Sequence, residues 1–488
     1  MGNAVLDKYE AVIGLEVHAQ LLTESKLFCR DNTRFGAPPN SNTCPVCLGM
    51  PGTLPVLNHR AIDFAIKAAL GLGCEIHSIS QFARKNYFYP DLTKGYQITQ
   101  YDKPLAEHGR IVIELEDGGR KEIGVHRLHI EEDAGKMMHE GGERSRVDFN
   151  RCGVALIEIV SEPDLRSPAE AELYLQKIRT ILVYLEVCDG NMEEGSLRCD
   201  ANLSIRPKGS NELFTKAEVK NMNSFRGVRR ALEYEIRRQV EVVEGGGEVV
   251  QETRLWDESA GVTRPMRSKE EAHDYRYFPE PDLVLLRVDA DWLTRIGEAL
   301  PELPDAKIKR LVADYGIPRY DATVLAAERL LADYYEKVAA AAGDNKLASN
   351  WVMGEVLRIL KEKGLGISDF KVPPEQLAEL LKMLKSGEVS AAAAKEVFDE
   401  MAATHKPPRQ IIEGKNLSQM SGDSEIRAVA LEVIRNNPKP YNQYKSGKTA
   451  TFGFFVGQVM KATRGRANPQ ITQKVLRELL DADTLPQP

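Results

Sequence analysis

Charged and imidazole side chains alternate with apolar ones along separate stretches of this chain, and that alternation restricts what it can fold into. Between Ile13 and Leu21, Leu15, Val17, Ala19 and Leu21 project to one side, while Glu16, His18 and Gln20 project to the other. Between Leu128 and Asp133 the same period of two gathers His129, Glu131 and Asp133, and Glu158 alone interrupts the apolar run Val154 to Val160. Strands of this kind belong to a sheet that buries one face and lines a polar space with the other. Ionised groups are rarely buried without a counter-charge or a metal, so the stretches are expected to converge on a site for a hard cation. A half-exposed sheet facing water would also be polar, but its face would mix Lys, Thr and Ser instead of concentrating Glu, Asp and His.

At 488 residues the chain exceeds a single core, and roughly two to four domains are expected. A net charge of −7 argues against general coating of nucleic acid, so any such contact must be local. The first residues, MGNAVLDKYE, show no basic segment followed by an apolar run, and no stretch approaches the ~18 apolar residues of a membrane span. With an odd cysteine count of seven, a reducing cytoplasm is the expected compartment.

Up to about residue 295, short alternating runs and turn-rich links predict an α+β domain with a largely antiparallel sheet. Its clearest strand is Ser196 to Arg206, with Leu197, Cys199, Ala201, Leu203 and Ile205 on one face and Arg198 and Asp200 on the other. Thr215 to Lys220 repeats the pattern, placing Lys216, Glu218 and Lys220 together. Pro168 to Leu185 reads as a helix capped by Ser167. From about 296 the composition turns to Ala, Leu, Glu and Lys at helical period, in Ala322 to Ala342, Leu347 to Lys363 and Pro374 to Lys385. Two prolines between Thr404 and Arg409 predict a break before a smaller helical tail, giving domains 1–295, 296–405 and 406–488.

A site of this acidic kind favours Mg2+, which usually brings a nucleotide phosphate. Phosphoryl transfer is therefore expected, with Lys85, Arg198, Lys216, Lys220 and Arg276 as candidates to neutralise developing charge. The stretch Arg84 to Gln97, RKNYFYPDLTKGYQ, is dense in hydrogen-bond donors and suits substrate binding or a channel lining; Asp274 to Asp282 has the same character. An ordinary structured turn is the alternative for both. Cys29, Cys44 and Cys47 form most of a zinc site, with Asp31 and His59 as candidate fourth ligands and reduced thiols as the competing reading. Cys74, Cys152, Cys188 and Cys199 read as core. SGKT at Ser446 to Thr449 looks like the end of a phosphate-binding loop, but Asn442 stands where that motif needs Gly, so nucleotide is expected on the N-terminal sheet. Between Val433 and Arg477 the nine basic residues Arg435, Lys439, Lys445, Lys448, Lys461, Arg464, Arg466, Lys474 and Arg477 occur without Asp or Glu. That bias predicts a phosphate-backbone surface, with Tyr441 and Tyr444 available for stacking. RNA is the expected partner, with neither DNA nor a membrane expected; a solvated basic helix face is the alternative.

The blocks IGLEVHAQL, PNSNTCPVCLGMPGTLPVLN, RKNYFYPDLTKGYQITQYD, LHIEEDAGK, LIEIVSEPD, EEGSLRCDANLSIRP, KNMNSF and DYRYFPEPD, in this order, resemble the B-subunit (GatB) family of bacterial tRNA-dependent amidotransferases. That family converts Glu-tRNA(Gln), and often Asp-tRNA(Asn), to the amidated forms. The tail, NPKPYNQYKSGKTATFGFFVGQVMK, resembles its YqeY-like module, and the likeness covers nearly the whole chain. It implies a glutamine-synthetase-like antiparallel-sheet cradle, then helical domains and a tRNA-contacting tail. It also implies that Mg-ATP phosphorylates the side-chain carboxylate of the misacylated residue and that ammonia then displaces phosphate.

Matched residue by residue, the resemblance implies Glu16, His18, Glu131 and Glu158 as the magnesium cluster, with Glu132, Asp133, Glu194 and Asp200 close by. Lys85 would lie where an ammonia channel meets the phosphorylating site. Asn86, Tyr87, Tyr89, Glu194 and Asn221 fall in the matched blocks as ATP or substrate contacts, beside Arg198, Asp200, Lys216, Lys220 and Arg276. Lys439, Lys445, Lys448, Lys461, Arg464 and Arg466 would contact tRNA. Many family members carry Cys-x-Cys before the CPVC pair, but Asp31 stands at the second position here, which leaves zinc open. Neither a Ser-Ser-Lys amidase signature nor a Cys–His pair supplies a glutaminase. Ammonia is therefore expected from a separate amidase subunit, the pair being braced by a small third subunit. The competing reading, from another class, is a non-catalytic RNA-binding scaffold whose cradle holds a structural ion.

Overall fold

The computed structural model describes residues 7–138, 145–266, 274–415, 417, 419–420, 422–463 and 465–482; Arg464, an expected RNA contact, lies outside them. Contacts divide the chain into two units after Leu303. In chain order the strands of the first unit are β1 (Tyr9–Gln20), β2 (Glu75–Ile76), β3 (Ile79–Ser80), β4 (Phe82–Asn86), β5 (Tyr96–Gln100), β6 (Ala106–Glu114), β7 (Arg120–Glu132) and β8 (Lys136–Met138). They continue as β9 (Arg146–Asp148), β10 (Ala155–Ser161), β11 (Leu197–Pro207), β12 (Ala217–Met222), β13 (Thr253–Asp257), β14 (Val262–Pro265), β15 (Phe278–Pro279) and β16 (Leu286–Arg287).

Nine of these form one sheet in the order β14-β13-β12-β11-β1-β10-β7-β6-β2. Its pairs are antiparallel except β12–β13, which is parallel, so the sheet is mixed, not wholly antiparallel. β15-β4-β5 make a smaller sheet. The apolar alternation explains which way the large sheet faces. Ile13, Leu15, Val17 and Ala19 of β1, Ile157 and Ile159 of β10 and Ala201 and Leu203 of β11 are fully buried in one cluster with residues of three helices. Those helices are His59–Gly71, Pro168–Tyr184 and Phe225–Glu244. Each begins with a side-chain cap: Asn58 accepts from the Arg60 amide, Ser167 from Glu170 and Ser224 from Gly227. The polar residues of the same strands are left on the helix-free face.

Strand β12 begins at Ala217, which pairs with Leu203, so Thr215 and Lys216 remain exposed before it. Composition also misplaces the domain limits. The helix Ala290–Glu298 still serves the first core, on which Trp292, Leu293, Leu300 and Leu303 pack, so that unit runs beyond residue 295. The second unit holds two cores, one spanning Leu311 to Ile412 and one Ile426 to Leu480. The helix Pro408–Lys415, assigned to the tail by the proline break, buries Ile411 and Ile412 in the earlier core. Prolines there start a new helix without starting a new core. Ala322 to Ala342 divides into Arg319–Leu325 and Arg329–Ala342, because packing of Leu325 and Leu331 overrides a propensity that would run straight through. Leu347 to Lys363 likewise contains a π-turn at Val352–Val356, around Gly354.

Truncating Leu15 to Ala should lower the unfolding free energy of the first unit by about 2–5 kcal/mol, since the side chain is fully buried in the central strand. Urea unfolding followed by fluorescence measures this, and a change under about 0.5 kcal/mol would contradict the assigned core face.

Candidate active site

The helix-free face of the large sheet floors a cavity of about 820 Å3. Strand register sets its chemistry. Glu158 on β10 stands opposite His18 on β1 and opposite His129 on β7, so pairing alone delivers two imidazoles to one carboxylate. Its Oε2 lies 3.4 Å from Nε2 of each. Glu131, on the same face of β7 as His129, lies 3.6 Å from His129 and 4.0 Å from His18, and accepts a hydrogen bond from Thr99 of β5 at 3.1 Å. Burial acts to raise the carboxyl pKa values, but the histidines outweigh it, holding Glu131 below and Glu158 well below the usual range. Burial acts to lower the imidazoles, and here the carboxylates prevail: His18 is raised, and His129 is raised to about 9.

A second acidic group lies beside the first. Glu16 stands opposite Asp200 of β11, and Glu218 comes from β12. Lys220 donates to Asp200 at 2.7 Å and pairs with Glu218 at 3.0 Å, while Asn202 donates to Glu16 at 2.8 Å. Lys85, on β4, lines the same cavity; its ammonium lies 4.9 Å from the ring centre of Tyr275 and 5.8 Å from that of Tyr87. Burial pulls the Lys85 pKa down, but Glu131, with Tyr277 and Glu158, outweighs it and the group is raised above the usual lysine value.

The expected four-residue metal set is therefore divided. His18, Glu131 and Glu158 offer ligand atoms within 4.8 Å of one another, and Glu16 joins Asp200 and Glu218 in a separate group of the same reach. The cause is register, which turns Glu16 toward partners on β11 and β12. Of the residues named as ATP or substrate contacts, Tyr87, Tyr89, Asp200 and Lys220 line the cavity, whereas Asn86, Glu194, Arg198, Lys216, Asn221 and Arg276 do not.

Each of these six has a local reason. Arg198 is clamped by both oxygens of Asp133 at 2.8 and 3.0 Å, and Gln20 donates to the same carboxylate at 2.8 Å. Burial would raise the Asp133 pKa, yet Arg198 and Arg151 hold it at about 2. The Asn86 amide donates to the carbonyls of Tyr275 and Arg276, and the Asn221 amide, at φ 70°, to that of Trp256. Lys216 and Arg276 are exposed, and Glu194 borders a separate cavity with Gln20 and Arg34. Glu132 turns the other way from Glu131, pairing with Lys94 and accepting from the Ile98 amide at 2.9 Å. The cavity also uses His129, Glu218, Arg127, Tyr275 and Tyr277, which the expected set omits. Alternation with Glu131 and Lys220 marks His129 and Glu218 in the sequence, and Tyr275 and Tyr277 lie in the stretch Asp274 to Asp282; nothing local marks Arg127.

Cys29, Cys44 and Cys47 converge, and Asp31 completes them: one ligand atom from each lies within 4.8 Å of the others. His59 is elsewhere, stacked on Trp292 with ring centres 4.3 Å apart. Cys47 Sγ accepts from the Cys44 amide at 3.2 Å and lies 3.1 Å from Asp31 Oδ2. A hydrogen bond from Cys29, aided by that amide, holds the Cys47 thiol down at about 6 against the effect of burial. The other four cysteines are buried.

In the last core, Lys439, Lys445, Lys448 and Lys461 are exposed, with Lys445 donating to the Ala482 carbonyl at 2.7 Å. Arg466 is half-buried and donates to the Thr463 carbonyl at 3.2 Å. Tyr441 and Tyr444 pack on the core, and Tyr444 donates to Asp481 at 2.9 Å, so these rings are not the free stacking surfaces that the sequence suggests. SGKT follows the helix Pro438–Lys445, not a strand. Among the described residues no helix is long and apolar enough to cross a membrane.

Residues 11–294 match the family described as the GatB/GatE catalytic domain, and residues 333–480 match the GatB domain. Relatives named as the B subunit of aspartyl/glutamyl-tRNA(Asn/Gln) amidotransferase match almost end to end. Those of Caldanaerobacter subterraneus subsp. tengcongensis and Moorella thermoacetica are each 55% identical over 97% of this chain, covering 99% and 100% of the relative. That of Myxococcus xanthus is 56% identical over 97% of this chain and 98% of its own length. With both units matched at this level, the chain belongs to the GatB family of amidotransferase B subunits.

Proposed function

We propose that this chain is the amide-forming subunit of a heteromeric aminoacyl-tRNA amidotransferase acting on Glu-tRNA(Gln), Asp-tRNA(Asn) or both, in the cytoplasm. The observation that carries this reading is the pair of acidic groups on one cavity floor, with Lys85 and Lys220 alongside them. A carboxylate is a poor electrophile. Transfer of the terminal phosphoryl group of ATP to the side-chain carboxylate gives an acyl phosphate and ADP; ammonia then attacks the acyl carbon, phosphate leaves, and the nitrogen loses a proton.

The donor chemistry fits Mg2+: His18, Glu131 and Glu158 would hold one ion, and Glu16, Asp200 and Glu218 another, both sets being rich in carboxylate oxygen. Bound Mg2+ would supply neutralisation of phosphate charge. The ammonium groups of Lys85 and Lys220 face the same space and stabilise charge that develops during transfer. Thr99 orients Glu131 for the ion, and the departing phosphate can take the proton that the attacking nitrogen loses. Tyr87, Tyr89, Tyr275 and Tyr277 line the walls and limit access of water to the acyl phosphate. Ammonia would come from a separate amidase subunit, and a small third subunit would brace the pair. The exposed Lys439, Lys445, Lys448 and Lys461 would meet the tRNA backbone. Cys29, Asp31, Cys44 and Cys47 supply a four-donor set suited to a structural Zn2+.

In the reconstituted complex, glutamine and Mg-ATP should convert the misacylated tRNA to its amidated form with release of one phosphate per product. Glu158→Gln and Asp200→Asn should each slow this by about 100-fold or more. Either variant turning over at the wild-type rate would remove its group from the chemistry, and a complex that binds tRNA without hydrolysing ATP would favour the scaffold reading. Ending the chain after Leu417 spares the earlier helical core, because Ile411, Ile412 and Leu417 are retained. It should raise the KM for tRNA by about tenfold or more while leaving kcat at saturating tRNA little changed. An unchanged KM would show that the tail does not contact the substrate.

A further inference from the structure

Lys26 is fully buried, and among the described residues no Asp or Glu forms an ion pair with it. Its Nζ donates to the Asn42 carbonyl at 2.7 Å and to Cys47 Sγ at 3.5 Å, while its backbone amide donates to the Asp31 carbonyl at 3.0 Å. Desolvating an ammonium costs far more than one hydrogen bond to a carbonyl returns, so a neighbouring anion must balance it. The cysteine cluster is in position to do so: the ammonium touches the Cys47 sulfur, and the Asp31 carboxylate lies 3.1 Å from that sulfur, whereas the nearby Glu132 carboxylate is already paired with Lys94.

We propose that Lys26 is the outer-sphere cation of a Zn2+ site built from Cys29, Asp31, Cys44 and Cys47. Three thiolates and one carboxylate around a divalent ion leave two surplus negative charges, and the ammonium cancels one of them next to the sulfur of Cys47. Outer-sphere partners of this kind raise metal affinity without touching the ion. The residue joins the segment before Cys44, through its ammonium, to the turn that carries Asp31, through its backbone amide, so it also holds ligand-bearing segments in register. The proposal rests on the zinc reading given above and adds to it the residue that balances its charge.

The test uses the full-length chain, stripped of metal and titrated with Zn2+ against a chromophoric chelator, with Co2+ absorption reporting on thiolate ligation. Lys26→Met keeps the length of the side chain and removes the charge. It should weaken Zn2+ binding about 10- to 100-fold while leaving the Co2+–thiolate bands in place. Lys26→Gln, which keeps a donor for the Asn42 carbonyl but removes the charge, should lose as much Zn2+ affinity as Lys26→Met. Lys26→Arg, which keeps the charge, should retain more affinity than Lys26→Met. Equal affinity in Lys26→Met and wild type overturns the proposal. So does full Zn2+ affinity in Lys26→Gln beside weakened binding in Lys26→Met, which would mark Lys26 as a mere anchor for the Asn42 carbonyl. Wild type that takes up neither Zn2+ nor Co2+ removes the zinc reading and this proposal together, whereas uptake by wild type with equal uptake by the variant removes the proposal alone.

Discussion

Glu158 is buried in the middle of β10, and what makes a carboxylate tolerable there is the strand on either side, each placing an imidazole 3.4 Å away. Without them, desolvation would cost several kcal/mol and the group would take up a proton. The register that supplies those histidines is the one that buries Val17, Ala19, Ile157 and Ile159 on the other face. A slip of one residue between β1 and β10 would reverse every side chain of β1, sending His18 into the helices and Leu15 into the cavity. Each large apolar side chain returned to water forfeits about 1.5–3 kcal/mol. The core thus enforces the geometry of the floor, and the helices need not touch the floor to do it.

This division of labour explains which features can be read from the sequence. Alternation is a local property, so the faces of β1, β7, β10 and β11 follow from the order of residues alone, and the polar face collects Glu16, His18, Glu131, Glu158 and Asp200 in one cavity. Pairing across strands is not local. Nothing in IGLEVHAQL indicates that Glu16 looks toward Asp200 and Glu218 while His18, two residues on, looks toward Glu131 and Glu158. Nor does any local pattern reserve Arg198 for Asp133, although both residue types read naturally as substrate contacts. The local sequence around Asn86 and Asn221 is silent for a related reason: their amides satisfy backbone carbonyls of segments distant in the chain, a demand that becomes visible only when the loops are folded.

The helical half shows the same limit at a larger scale. Composition identifies helices, but assigning a helix to a core depends on which apolar stripe meets which neighbour. Ile411 and Ile412 follow a proline pair and still join the earlier core, and Trp292 follows the last strand and still joins the first. In the tail, the basic residues are legible as a group because charge keeps them at the surface. Tyr441 and Tyr444 are not, because an amphipathic ring can lie on a core with its hydroxyl in water, as Tyr444 does beside Asp481.

Consecutive residues at the end of β7 show how closely the two candidate centres are joined. Glu131 faces the cavity with His18 and Glu158, and Glu132 faces the opposite way, where it shares a second cavity with Lys94, Cys29 and Cys47. Strand β5 ties them together: the Thr99 hydroxyl holds Glu131, the Ile98 backbone amide holds the Glu132 carboxylate, and the Gln97 side chain donates to the Glu132 carbonyl. Because strand side chains alternate strictly, neither glutamate can replace the other, and a shift that frees one must pull on the other through the shared peptide. The cysteine cluster lies on the Glu132 side, and Gly153, which leaves the loop before β10 free to run at φ +82°, borders both Cys47 and Lys26 there. Order in that loop therefore reaches the cavity floor through two neighbouring carboxylates and one strand, which is the physical reason the cysteine cluster and the cavity floor can depend on each other without sharing a side chain.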